Sequence, residues 1–189
     1  VNKKFDHYNN YLGQVVLDSR DEDASISNID FINEVNLKIR EWIFNREGIL
    51  TLSGDPGVGK TYLIKAIIND CIHDVYGCRF MHINTFFNHL RDIISENWDP
   101  IREIDRICET DWWILDDFGA NTKMTEWQVD MFFEFVQKRH ESMKPTLITT
   151  NLSEKEIFDI SPRLISRLRS HDNYFINVVG NDKRLGEKK

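Results

Sequence analysis

The chain has 189 residues, 41% hydrophobic and 29% charged, with a formal net charge of −7. That length suits one domain with a substantial core, and the acidic balance argues against a surface coated for non-specific nucleic-acid binding while leaving room for a local basic stripe. No apolar run reaches the length of a membrane span, the opening VNKKFDHYNN lacks a signal-peptide core, and three cysteines (Cys71, Cys78, Cys108) without CxxC spacing point to reduced, buried thiols and a cytoplasmic setting.

Residues 1–26 are polar and irregular and are expected to be an N-terminal extension or linker, with 27–189 as the folded domain. Ser27, with Asp30 three residues on, is placed to cap a helix running to about Asn45, in which Ile29, Ile32, Val35, Ile39, Trp42 and Ile43 recur at helical spacing. GILTLSG reads as a short buried strand, and KTYLIKAIINDCIHDVYG as a helix closed by Gly77. RFMHI is a second strand, TFFNHLRDIISEN a helix, and Pro100 begins another, IREIDRICE. WWILDD is a third strand, TEWQVDMFFEFVQKRHE a long amphipathic helix ending before Pro145, and TLITTN a fourth strand. Ser153 and Glu156 make a capping box for a short helix, Pro162 stands in the first turn of PRLISRLR, and YFINVV is the last strand. Alternating strands and helices imply an α/β fold whose parallel sheet is covered on both faces.

GDPGVGKT, residues 54–61, matches G-x-x-x-x-G-K-[ST] and falls between a strand and a helix, where its mechanism requires it. Gly57 and Gly59 let the backbone turn its N–H groups toward phosphate, with the helix N-terminus behind them. Gly54, Asp55, Pro56, Gly57, Val58, Gly59, Lys60, Thr61 and the following Tyr62 form the expected nucleotide-binding segment. Lys60 is placed for the β- and γ-phosphates, and the Thr61 hydroxyl for Mg²⁺.

Asp116 and Asp117 end the third strand, at the sheet edge where open α/β folds bind ligands. Asp116 suits Mg²⁺ and Asp117 suits polarising an attacking water; the alternative is a pair of solvated turn aspartates before Gly119. Asn151, at the tip of the fourth strand, suits orienting that water; its alternative is a turn or cap.

Taken together, GDPGVGKTYL, WWILDDFGA, PTLITTNLS, PRLISRLRS and GNDKR resemble AAA+ ATPases, more narrowly helicase loaders of the DnaC/DnaI type, whose core the IstB-type transposition helpers share. The resemblance spans roughly residues 27–185. It implies a P-loop NTPase three-layer sandwich, a five-stranded parallel sheet in the order 5-1-4-3-2, ATP and Mg²⁺ as ligands, ATP hydrolysis, and self-assembly into a ring or spiral. It implies that Lys60 and Thr61 are the Walker A pair, Asp116 and Asp117 the Walker B pair, Asn151 sensor 1, Arg167 the arginine finger and Arg184 the sensor 2 arginine. Arg163, four residues before Arg167 and on the same helix face, is assigned to the nucleotide or the subunit interface. Most relatives carry Glu where Asp117 stands. Few residues follow Arg184, so the helical lid is expected to be reduced or absent.

The implied partners are single-stranded DNA and a replicative hexameric DNA helicase; for the IstB-type alternative they are duplex DNA and a transposase. Arg91, Lys123, Thr125 and Trp127 match the regions that meet single-stranded DNA, where a cation meets phosphate and an indole stacks on a base. Ordinary alternatives stand beside them: a solvated helix charge for Arg91 and the core for Trp127.

Overall fold

The structure, a computed structural model, describes residues 24–26, 33–71, 78–120 and 123–180. Strands β1 (Ile49–Ser53), β2 (Cys78–His82), β3 (Trp112–Phe118), β4 (Thr146–Thr150) and β5 (Tyr174–Asn177) form one sheet in the order β2-β3-β4-β1-β5, each neighbouring pair parallel. Read from the other edge, this is the expected 5-1-4-3-2. Helices α1 (Asn33–Asn45), α2 (Lys60–Cys71), α3 (Ile83–Ser95), α4 (Pro100–Cys108), α5 (Glu126–Glu141), α6 (Glu154–Ile160) and α7 (Pro162–Leu168) surround it.

Every residue of β1 and β4 is buried, because helices cover both faces. Side chains alternate between two apolar layers. Leu50, Leu52, Ile114 and Leu147 pack with Ile39 and Trp42 of α1 and Leu63 and Ile67 of α2. Their chain neighbours Ile49, Trp113, Leu115 and Ile148 turn the other way, toward Phe86 and Leu90 of α3 and Phe132 and Phe135 of α5. The two tryptophans of β3 therefore serve opposite layers. Trp112 meets Trp42 edge-on at 5.3 Å, and Trp113 donates its indole N–H to the Ile107 carbonyl at 2.8 Å.

The helix starts follow the capping chemistry of the sequence. The Asp99 side chain accepts from the Ile101 N–H, with Pro100 in the first turn, and Ser153 and Glu156 form the expected reciprocal box. Thr125 and Gln128 form a second such box at α5. Boundaries move by a few residues: β3 runs on to Phe118, while β4 and β5 stop at Thr150 and Asn177. The expected caps Ser27 and Asp30, and the closing Gly77, lie outside the described residues. Ala24 and Ile26 are already buried in the first layer, and Asn69 Nδ2 donates to the Ala24 carbonyl at 3.0 Å. The boundary expected at residue 26 thus falls after the first buried contacts.

Arg139, on what reads as an ordinary amphipathic helix, is fully buried. Its guanidinium faces backbone carbonyls: it donates to those of Cys108, Thr110, Asp111 and Pro145 at 2.5–3.0 Å, and to Thr146 Oγ1 at 2.7 Å. It ties the end of α4 and the loop before β3 to the start of β4. Burial lowers its pKa to about 10, which still leaves it charged at neutral pH.

Candidate nucleotide-binding and hydrolysis site

The phosphate loop joins β1 to α2, and its shape follows from its glycines. A Cβ at Gly54 would lie 2.3 Å from the Val178 carbonyl oxygen, so only glycine lets the loop leave β1 so close to the segment after β5. Gly57 and Gly59 stand at φ +87° and +102°, in the region that side chains disfavour. The loop is anchored by Gly54 N–H to the Thr150 carbonyl at 3.2 Å, and by Val178 N–H to the Ser53 carbonyl at 2.6 Å.

Lys60 opens α2 and is buried. Its amino group donates to the carbonyls of Gly54 (2.6 Å) and Asp55 (2.9 Å) and to Asn151 Oδ1 (2.7 Å). From the other end of the same amide, Asn151 Nδ2 donates to Asp117 Oδ1 at 2.9 Å. One side chain therefore links the loop lysine to the acid at the end of β3. The parallel order makes this possible, since β4 lies between β1 and β3 and all three point the same way.

Asp117 stands at φ +68°, where a side chain is strained, and the β3–β4 register shifts between Leu115 and Phe118. Its N–H donates to Thr149 Oγ1 at 2.9 Å. Thr149 in turn donates to Asp116 Oδ1. The other oxygen, Oδ2, lies 3.5 Å from Nδ1 of His82, which the β2–β3 register sets opposite Asp116. Burial pushes the Asp116 pKa up, partly offset by the Thr149 hydrogen bond.

A carboxyl with a raised folded pKa stabilises the fold fully below its ordinary value of 3.8, and that contribution is lost as pH rises through the folded value. Near neutral pH the buried charge is a cost when no cation answers it. Asp116→Asn is therefore expected to raise the melting temperature of the nucleotide-free protein in chelator at pH 7. Differential scanning fluorimetry checks it, and an unchanged or lower value counts against the burial cost.

The oxygen set suits the group that the loop predicts. The Asp116 carboxylate and the Thr61 hydroxyl, in the first turn of α2, are hard donors of the kind Mg²⁺ takes. Among the described residues, no group of three or more His, Cys, Asp or Glu side chains could hold a metal.

The other predicted residues lie elsewhere. Arg167, on α7, donates Nε to Gln137 of α5. Arg163 bonds Asp130 at 3.1 Å and lies over the Phe133 ring at 4.6 Å, so within the chain it faces α5. Arg184 lies outside the described residues. Arg91 bonds Asn88 at 3.0 Å and covers the Trp127 ring at 5.5 Å; that indole is half-buried against Phe87. Thr125 caps α5, and Lys123 is exposed. In the sequence Thr149 carries no assigned role, and His82 reads as a structural or surface histidine. Their only signal there was a polar residue at the inner end of a strand.

A glycine-shaped loop between β1 and α2, two aspartates near the end of β3 and an amide just after β4, on a sheet ordered β2-β3-β4-β1-β5, define a P-loop nucleotide-binding domain of the AAA+ type. The model of the IstB-like ATP binding protein family matches residues 22–187, and the chain belongs to that family. The chain is 27% identical over 154 residues to YqaM of Bacillus subtilis (strain 168), an alignment that takes in 75% of this chain and 48% of YqaM. The chain thus spans about half the length of that relative. Among solved structures, DnaI superposes with a TM-score of 0.68 at 23% identity, over 89% of this chain and 94% of that one. The DnaC helicase loader superposes at 0.63 with 25% identity, over 85% and 99%.

Proposed function

We propose that the chain is an ATP-hydrolysing helicase loader, which assembles on single-stranded DNA when ATP is bound and places a replicative hexameric helicase there. The observation that carries the hydrolytic part is the Lys60–Asn151–Asp117 chain of hydrogen bonds beside Asp116. When nucleotide enters, the Lys60 amino group exchanges loop carbonyls and Asn151 for phosphate oxygens and offsets their charge. That exchange frees the Asn151 amide to orient a water that Asp117 polarises. The water oxygen bonds to the γ-phosphorus as the bond to the bridging oxygen breaks, giving ADP and phosphate, and the proton passes to the Asp117 side. Thr61 and Asp116 would hold Mg²⁺, which would supply charge neutralisation on the phosphates.

Arg167 is assigned to a neighbouring subunit's γ-phosphate, and Arg163 to the same interface. Within the chain both are held by α5, so assembly must draw Arg167 away from Gln137. Arg184 is assigned to the nucleotide. Arg91, Lys123, Thr125 and Trp127 are assigned to single-stranded DNA, with Arg91 and Trp127 acting as one stacked unit and Thr125 through its backbone, since its hydroxyl caps α5. The likeness to the DnaC helicase loader over nearly that chain's whole length supports the loader reading. The family match supports a second, in which the chain is an IstB-type transposition helper acting on duplex DNA with a transposase.

A pull-down from host lysate with ATP, followed by a helicase-loading assay on single-stranded DNA, separates the two. The loader reading expects a hexameric helicase to co-purify and its loading to be stimulated. Capture of a transposase, or a clear preference for duplex DNA, moves the assignment to the transposition helper.

A further inference from the structure

Thr149 is 1% exposed, at the end of β4, and both partners of its hydroxyl belong to the acidic pair. It gives its proton to Asp116 Oδ1 and takes the N–H of Asp117 at 2.9 Å. A hydroxyl has one proton and two lone pairs, so both bonds form at once without competing. The second bond matters because the regular β3–β4 pairing lapses between Leu115 and Phe118. Asp117 stands in that gap at φ +68°, and the Thr149 hydroxyl supplies its part-buried N–H with the acceptor that the ladder does not. The first bond matters because it occupies one carboxylate oxygen of Asp116 and so fixes which way the other points.

We infer that Thr149 is the positioning residue of the acid pair. Its single hydroxyl clamps Asp116 Oδ1, leaving Oδ2, which faces His82 Nδ1 at 3.5 Å, as the oxygen available to a metal, and it pins the strained Asp117 backbone so that the Asp117 carboxylate meets Asn151. Neither task requires Thr149 to touch nucleotide. The inference rests on the reading of Asp116 as the metal-side acid and of Asp117 as the acid that polarises water.

Thr149→Val keeps the shape and removes the hydroxyl, while Thr149→Ser keeps the hydroxyl. The test measures affinity for a fluorescent ATP analogue in Mg²⁺ and in EDTA, with thermal unfolding of each nucleotide-free variant as the check on folding. Outer partners of metal ligands are typically worth about 10–100-fold in metal affinity. Thr149→Val is expected to lose about tenfold or more of the Mg²⁺-dependent gain in affinity, with EDTA binding little changed, and Thr149→Ser to recover it to within about threefold. A merely structural role would lower both affinities together and would not separate Ser from Val in this way. A folded Thr149→Val with the wild-type Mg²⁺-dependent gain overturns the inference. Should Thr149→Val not fold, Thr149→Ala is read by the same criterion. Wild-type protein that binds equally in Mg²⁺ and EDTA overturns the reading of Asp116 itself, which is a separate failure.

Discussion

Lys60→Ala is expected to weaken ATP binding by about a hundredfold or more. The amino group is buried and already surrounded by three oxygen acceptors of the loop and of Asn151. It is therefore largely desolvated before phosphate arrives, and binding exchanges these neutral acceptors for charged phosphate oxygens. A charge-assisted hydrogen bond of this kind is worth roughly 1.5–3 kcal/mol, and a second bond to the same phosphate chain takes the loss past two orders of magnitude. Isothermal titration with an ATP analogue and Mg²⁺ reads the affinity. Thermal unfolding gives an independent check. Ligand at a hundred times its Kd stabilises by about 2.7 kcal/mol, and that rise should vanish in the variant. Near-normal affinity in Lys60→Ala would remove the loop lysine from the site.

The second large effect concerns stability alone. Arg139→Leu is expected to destabilise the domain by about 3–5 kcal/mol, because it removes all five hydrogen bonds of a fully buried guanidinium. The part-buried carbonyls of Thr110 and Asp111 lose that donor, while Cys108 keeps Lys144 Nζ and Pro145 keeps the Trp113 N–H. In a chain of this size that is a fall of roughly 10 °C in melting temperature. Arg139→Lys keeps the charge but offers three donors in place of five, so its loss should be intermediate. Chemical denaturation reads both. A loss under about 1 kcal/mol in Arg139→Leu would mean that water or a shifted backbone answers those carbonyls.

The phosphate loop was legible in the sequence because its function is local: eight consecutive residues carry the turn, the lysine and the hydroxyl. The two aspartates and Asn151 were legible because each ends a strand, and a parallel sheet brings such ends to one edge. The way they connect was not legible. That Lys60, Asn151 and Asp117 form one chain depends on β4 lying between β1 and β3. That Thr149 serves both acids depends on a register shift that no residue pattern announces. His82 reaches Asp116 through strand pairing rather than through spacing. Arg139 was hidden for a different reason. On an amphipathic helix a basic residue reads as a solvated charge, and only the convergence of the α4 end with the starts of β3 and β4 turns that position inward. The arginines of SPRLISRLRS divide in the fold: Arg163 goes to Asp130 and Phe133, Arg167 to Gln137, and Arg169 to Glu154.

The most direct test of the central claim, that this constellation hydrolyses ATP with water as the nucleophile, is release of inorganic phosphate from ATP with Mg²⁺ and single-stranded DNA and no added acceptor. The account predicts turnover by the wild-type protein at a concentration that allows assembly, and its loss in Asp117→Asn with ATP affinity retained. Phosphate transfer that appears only when an acceptor is supplied, or release unchanged in Asp117→Asn, would contradict it.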